Sequence, residues 1–317
     1  MDFKGKKYLV TGGTGFIGSA LVHRLVKEGS KVRVFDNDSR GSFFRLSDIK
    51  DNLEFIFGDI RNYNDVKNAC RDCNSIIHLA YVNGTGNFYT KPELVLEIGV
   101  KGILNILDAA IDNNIKELIV ASSSEVYQTP SIIPTPEDIQ LTVPDVQNPR
   151  YSYGGGKIIT ELLALNYGRK FFDRVLIFRP HNVYGPDMGD GHVIPQLILK
   201  ALDKTKQFEI QGTGNETRSF IYIDDFIDGL IKVMENGERN NIYNIGTENE
   251  ISIRNLALII LQYFDRKDNI KNTDLTLGST KRRCPDIAKL RKIGFAPKVL
   301  LKDGLKKTIE WYISNKK

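Results

Sequence analysis

Tyr153 precedes Lys157 by four residues, so on a helix the two side chains share one face. An ammonium beside a phenol stabilises the tyrosinate, and such a tyrosine can remove a hydroxyl proton while a hydride leaves the same carbon. Ser123, just past an apolar run at residues 117–121, is placed to hold the oxygen that loses the proton. A tyrosine–lysine pair at this spacing is common by chance. Its weight comes from its company: Thr11-Gly12-Gly13-Thr14-Gly15-Phe16-Ile17-Gly18 near the start of the chain, and Asp36 eighteen positions after Gly18.

Those residues need elements to carry them. Short apolar runs at Lys7–Val10, Lys31–Phe35, Leu53–Phe57, Ser75–Leu79, Glu117–Ala121 and Arg174–Phe178 alternate with helical periodicity at Ile17–Glu28, Tyr63–Arg71, Pro92–Asn113 and Ile158–Phe172. Gly29 marks the expected stop of the first helix. This alternation predicts βαβ units, a parallel sheet and ligands at the carboxyl ends of its strands. After Arg179 a loop rich in Gly and Pro leads to an expected helix at Val193–Leu202, and residues 220–235 and Ile242–Ile245 predict a further helix and strand returning to the sheet. From about Glu250 the basic, turn-rich tail shows no clear repeat of the pattern. The expected organisation is a dinucleotide-binding domain of residues 1–180 plus about 217–247, and a smaller discontinuous lobe of about 181–216 plus 248–317.

The glycine run follows the first strand and opens the first helix, so glycine permits a tight turn and a close backbone approach while the helix N-terminus attracts a diphosphate. Asp36 ends the second strand, where its carboxylate can accept from both hydroxyls of an adenosine ribose, and the expected cofactor is NAD rather than NADP. Arg40 could attract a 2′-phosphate, but Asp36 would repel that group, and the alternative for Arg40 is a solvated loop charge.

Composition excludes much else. The 317 residues are 41% hydrophobic and 26% charged, an ordinary globular balance. Their 44 Lys and Arg against 39 Asp and Glu give +5 in interspersed charges, which does not predict nucleic-acid binding. Three cysteines make no disulfide framework and are expected as reduced thiols. No apolar run is long enough for a membrane span, so the expectation is a cytoplasmic, unanchored protein. The four histidines show no metal-ligand spacing, and no metal is expected.

Across essentially the whole chain the sequence resembles the extended short-chain dehydrogenase/reductases that act on nucleotide sugars, the NAD-dependent epimerase/dehydratase family. The matching stretches are Thr11–Gly18, Asp36-Asn37, Gly58-Asp59-Ile60, His78-Leu79-Ala80, Ser122–Tyr127, Tyr153 to Lys157, Arg179–Pro186, Gly212 to Asp225 and Arg283-Cys284-Pro285-Asp286. The resemblance implies a Rossmann-type doubly wound parallel sheet with a discontinuous C-terminal substrate lobe. It implies NAD held by Gly12, Gly15, Phe16, Ile17, Gly18, Asp36, Asn37, Asp59, Ile60, Leu79 and Ala80 together with Tyr153 and Lys157. Ser123, Tyr153 and Lys157 would be the catalytic set, Glu125 a further catalytic acid or base, and Ser124, Asn182, Arg218 and Arg283 contacts to a nucleotide-diphosphate sugar. It also implies a homodimer through a four-helix bundle from Pro92–Asn113 and Ile158–Phe172, for which Leu104, Leu107, Leu162 and Leu165 offer an apolar face.

Several positions depart from the family's pattern. Gln128 stands where glycine usually follows Val-Tyr, Gly99 where Asn is expected, and His181 where an apolar residue is expected. Gly154-Gly155-Gly156 open a helix at roughly 1 kcal/mol each relative to alanine, so either the helix starts late or something packs closely there. His181, beside Asn182, is open to substrate contact or to packing. The resemblance implies a common first step, oxidation of a sugar carbon, usually C4, to a ketone. Glu125 and Ser124 favour 4,6-dehydration or related C5-proton or decarboxylation chemistry as the second step, with Glu125 the expected C5 base. The alternative is a 4-epimerase, and a remote one is a non-catalytic NAD-binding scaffold.

Overall fold

The structure is a computed structural model and describes residues 3–267, 269–275 and 278–315. Seven strands, β1 (Lys7–Thr11), β2 (Lys31–Asp36), β3 (Leu53–Phe57), β4 (Ser75–His78), β5 (Glu117–Ala121), β6 (Arg174–Pro180) and β7 (Asn241–Ile245), form one parallel sheet in the order β3-β2-β1-β4-β5-β6-β7. This is a Rossmann-type doubly wound fold. Chain order reverses between β1 and β4, which opens a crevice at the carboxyl ends of the strands.

Strand residues alternate between two cores, as period-two geometry requires. Val10, Ile77, Ile119 and Leu176 face one layer, and Leu9, Ile76, Leu118 and Ile177 the other. The helices in chain order are α1 (Phe16–Lys27), α2 (Tyr63–Ala69), α3 (Thr85–Thr90), α4 (Pro92–Asp112), α5 (Ser152–Phe171), α6 (Val193–Leu202), α7 (Ile223–Asn236), α8 (Ile253–Tyr263), α9 (Ala288–Lys292) and α10 (Leu301–Asn315). Gly29 follows α1 at φ +81°, the left-handed conformation that glycine adopts without steric cost.

A buried polar network holds α5 to the sheet. Arg179 on β6 donates to both carboxylate oxygens of Glu161 on α5, at 2.8 and 2.7 Å, and to the Tyr127 hydroxyl at 2.6 Å; Ser122 also donates to Glu161. Such a pair adds little net stability over apolar packing, but one register satisfies all its partners. Tyr153 and Lys157 stand on the same helix.

Beyond the main sheet, strands at Thr217–Ser219, Glu250–Ser252 and Arg282–Arg283 form a three-stranded sheet that sets Arg283 beside Arg218. The tail after Glu250 therefore has more order than its sequence suggests. In α10 the buried residues are a narrow stripe, Gly304, Leu305, Thr308, Ile309 and Tyr312, among lysines and other polar residues that mask the periodicity. The expected start of α5 at residue 158 is also corrected: the helix begins at Ser152, with the glycine run inside it. Two members of the expected dimer face belong elsewhere, since Leu107 is fully buried in the sheet core and Leu165 packs on the same core. Among the described residues, no helix is long and apolar enough to cross a membrane.

Candidate active site

One cavity of about 390 Å³ lies at the carboxyl ends of the strands and gathers residues from Gly12 to Arg283. Its floor is the turn between β1 and α1. A Cβ on Gly12 would stand 2.7 Å from the backbone nitrogen of Ala80, and one on Gly18 would overlap the Gly12 carbonyl. A Cβ on Gly15 meets only the Gly12 carbonyl, at 3.2 Å, so this glycine keeps the cavity side of the turn clear. Phe16 and Ile17 continue the wall into α1, and Leu79 and Ala80 line it from the end of β4. Asp36 accepts from the backbone N–H groups of Thr14 and Asp38, both at 3.0 Å, which fixes its carboxylate at the cavity wall. These residues fit a dinucleotide: bare backbone and a helix start for the diphosphate, an oriented acceptor for the ribose.

Asn37, Asp59 and Ile60 line the same end. Arg61 holds Asp59 through contacts of 2.7 and 3.1 Å and keeps its carboxyl below the usual range. Arg40 lines the cleft from an exposed position. Arg45 spans it: its guanidinium forms a two-point ion pair with Asp187, at 2.6 and 3.0 Å, and donates to the Thr14 carbonyl at 3.1 Å.

Ser123, Tyr153 and Lys157 meet at the other end. Ser123 caps the turn at Ser124–Tyr127, its Oγ accepting from the Glu125 N–H at 3.1 Å, and it lines the cavity beside the Tyr153 phenol. Burial pushes that phenol up to about 12, against the lowering effect of Ser123. Burial also brings the Lys157 ammonium down to about 7, opposed by Glu161, and Lys157 Nζ donates to the Ala121 carbonyl at 2.6 Å. Tyr153 is enclosed by rings: Phe88 stacks on it at 4.8 Å and Tyr81 meets it edge-on at 5.1 Å.

Glu125 lies beside this group. Arg283 donates to its Oε1 at 2.7 Å, and Arg150 approaches both oxygens at 3.4 Å. Burial would raise this carboxyl, yet Arg283, Arg150 and the more distant Arg218 hold it down at about 2. The arginines are not saturated by it, because Nε and Nη1 of Arg150 and Nε of Arg283 are buried without a hydrogen-bond partner. Ser124 and Asn182 line the cavity, Asn182 at φ +41° with its amide donating to the Ser219 carbonyl at 2.9 Å. Arg218 does not line it; its guanidinium donates to the carbonyls of Thr217 and Thr280, both at 2.7 Å, and so braces the backbone that presents Arg283. His181 is fully buried against Tyr127, hydrogen-bonded to Asn244 at 3.0 Å, and does not line the cavity. Burial lowers its pKa to about 3, so the ring is neutral near pH 7.

The glycine run also has its explanation. A Cβ on Gly154 would overlap the Gln128 amide and stand 2.9 Å from the Glu125 carbonyl, while one on Gly156 would overlap the Tyr81 hydroxyl. Close approach is thus the reason for both glycines, and what approaches is side chains of this chain. Sequence reasoning passed over Tyr81, Phe88 and Arg150. The aromatic residues carried no spacing signal; the glycines at 99 and 156 were the trace of Tyr81.

Residues 8–246 match the NAD dependent epimerase/dehydratase family. The chain is 33% identical over 319 residues to UDP-N-acetyl-alpha-D-glucosaminuronate decarboxylase of Bacillus cytotoxicus, covering 97% of this chain and 98% of the relative. It is 32% identical over 314 residues to UDP-glucuronic acid decarboxylase 1 of Xenopus tropicalis, covering 97% of this chain and 72% of that one. Among solved structures it superposes with a TM-score of 0.90 at 28% identity on the dTDP-glucose 4,6-dehydratase DesIV of Streptomyces venezuelae with NAD bound, covering 98% of this chain and 97% of that one. The sequence match and the shared fold make this chain a member of the NAD-dependent epimerase/dehydratase family, an enzyme of nucleotide-sugar chemistry with NAD as its cofactor.

Proposed function

We propose that the protein is a decarboxylase of a UDP-linked uronic acid, UDP-glucuronate or its N-acetylated amino counterpart. The observation that carries this reading is the Glu125–Arg283 pair at 2.7 Å with Arg150 beside it. A carboxylate held by arginines at a pKa of about 2 is a poor base near neutral pH, where a C5 base for dehydration should titrate much closer to the working pH. Decarboxylation needs no base at C5. It needs a cationic seat for the sugar carboxylate, and Arg283, which lines the cavity, and Arg150 behind it keep unmade hydrogen bonds beside the one glutamate. The names of the relatives support the same choice.

In this reading Tyr153 accepts the O4 proton of the sugar, Ser123 holds that oxygen, and the Lys157 ammonium stabilises the tyrosinate. NAD, which the glycine turn and Asp36 would hold, would supply reversible hydride acceptance at C4. Once C4 is a ketone, the C5 carboxylate lies β to it. The C5–C6 bond breaks, carbon dioxide leaves, and its electron pair passes into an enolate whose oxygen Ser123 and the Tyr153 phenol hold. A proton from water then adds to C5, and Tyr153 returns its proton to O4.

The exposed Leu96, Ile159 and Leu162 on the outer faces of α4 and α5 support a homodimer through these helices, and three buried, unpaired thiols are compatible with the cytoplasm. Mass spectrometry of the protein incubated with UDP-glucuronate, its N-acetylated counterpart and UDP-glucose tests the reading. Loss of carbon dioxide from a uronic acid supports it; loss of water, or no mass change with epimerisation, overturns it.

A further inference from the structure

Tyr81 leaves the end of β4 and runs its ring between α4 and α5. A Cβ on Gly99 of α4 or on Gly156 of α5 would overlap its hydroxyl, so both helices lack a side chain where the phenol enters. The hydroxyl is buried without a hydrogen-bond partner. What the insertion achieves is on the ring: its centroid lies 4.0 Å from Lys157 Nζ, and its edge meets Tyr153 at 86°. One side chain therefore touches both members of the candidate acid–base pair.

The ammonium of Lys157 is short of partners for a group 2% exposed. It donates to the Ala121 carbonyl, while Glu161 on its own helix is engaged by Arg179 and Ser122. From β4 it faces His78, whose ring burial holds neutral near pH 7 by lowering its pKa to about 3, and from α5 it faces Tyr153. The Tyr81 ring supplies the remaining attraction, since the negative face of an aromatic ring favours a cation most when water is excluded.

We propose that Tyr81 is a positioning residue which, admitted by Gly99 and Gly156, keeps Lys157 charged and in place beneath the Tyr153 phenol. This rests on the reading of Tyr153 and Lys157 given under Proposed function, but its test does not need the substrate. NMR of the NAD-loaded protein labelled at the lysine ε-carbon follows the Lys157 titration, with the resonance assigned by its loss in Lys157→Arg. Tyr81→Phe, which keeps the ring, should titrate as wild type. Tyr81→Leu should move the midpoint down by about one pH unit, the scale of a desolvated cation–π contact. Gly156→Ala, whose Cβ would overlap the hydroxyl but clear the ring carbon at 3.6 Å, should move it the same way, and adding Tyr81→Phe should restore it by freeing the hydroxyl's space. On whichever nucleotide sugar wild type converts, Tyr81→Leu should lower kcat about tenfold and leave KM unchanged. If Tyr81→Leu does not fold, Tyr81→Met serves in its place. A wild-type midpoint in the ring-less variant, or an equal shift in the Phe and Leu variants, would overturn the proposal. A wild-type enzyme that releases no carbon dioxide from a uronic acid would count against the decarboxylase reading and leave the titration unaffected.

Discussion

The side-chain amide of Gln128 occupies the space that a side chain on Gly154 would need, and from there it donates to the Glu125 carbonyl at 2.6 Å. Gln128 itself sits at φ +49°, a backbone conformation that glycine tolerates and other residues adopt at a cost of about 1–3 kcal/mol. Two departures from the family's pattern are thus one feature: glutamine taken at 128 requires glycine at 154, and together they fix the turn that carries Glu125.

Gly154→Ala should therefore destabilise the protein, despite alanine's better helix propensity, by about 1–3 kcal/mol, the usual cost of overpacking a filled site. Combining it with Gln128→Gly, which removes the obstructing amide and relaxes the backbone, should recover part of the loss, the Glu125 carbonyl at 2.9 Å keeping the rest. Urea denaturation of the two single variants and the double variant checks this. Additive losses would mean that the two positions do not share the space.

Gly15→Val would place a branched side chain on the open side of the glycine turn, and Asp36→Ala would remove the acceptor held by Thr14 and Asp38. Each should weaken NAD binding by about tenfold or more, the equivalent of one lost strong hydrogen bond, and Asp36→Ala should also narrow the preference over NADP. Calorimetry on protein freed of cofactor reads both effects. Unchanged affinity in both variants would remove the cofactor assignment of these residues.

Glu125 links stability to acid pH. Its carboxyl has an ordinary value of 4.5 and is held at about 2 by the arginines once folded. A depressed carboxyl contributes stability that is present above 4.5 and lost as pH falls towards 2, because the unfolded chain takes up the proton first. Glu125→Gln should accordingly be less stable than wild type at pH 6, with the gap closing between about pH 4.5 and 2. Denaturation midpoints across that range measure it, and a gap independent of pH would show that the carboxylate's charge is not what holds the turn.

Much of the site was legible because its chemistry is local in sequence. The glycine turn, Asp36 and the Tyr153–Lys157 spacing each depend on a few neighbouring residues and the element they sit on. Arg283 could be placed only through the resemblance, since a two-residue strand at Arg282–Arg283 pairs with Thr217–Ser219, far away in sequence. Arg150 gave no signal: it approaches Glu125 from a turn whose position no periodicity encodes. The start of α5 was misjudged for an energetic reason. Three glycines disfavour a helix by propensity, but Gly154 and Gly156 are needed for contacts with Gln128 and Tyr81, and tertiary packing outweighs the local cost.

Decarboxylation removes C6 of the sugar as carbon dioxide. UDP-glucuronate carrying ¹³C at that carbon, incubated with the protein in deuterated water and followed by NMR, tests it in a single measurement. Labelled carbon dioxide and bicarbonate in solution and a UDP-pentose with deuterium at C5 are expected, with both signals lost in Tyr153→Phe. A product that keeps its ¹³C and gains no deuterium at C5, differing from the substrate only in the configuration at C4, would contradict it and make the enzyme an epimerase.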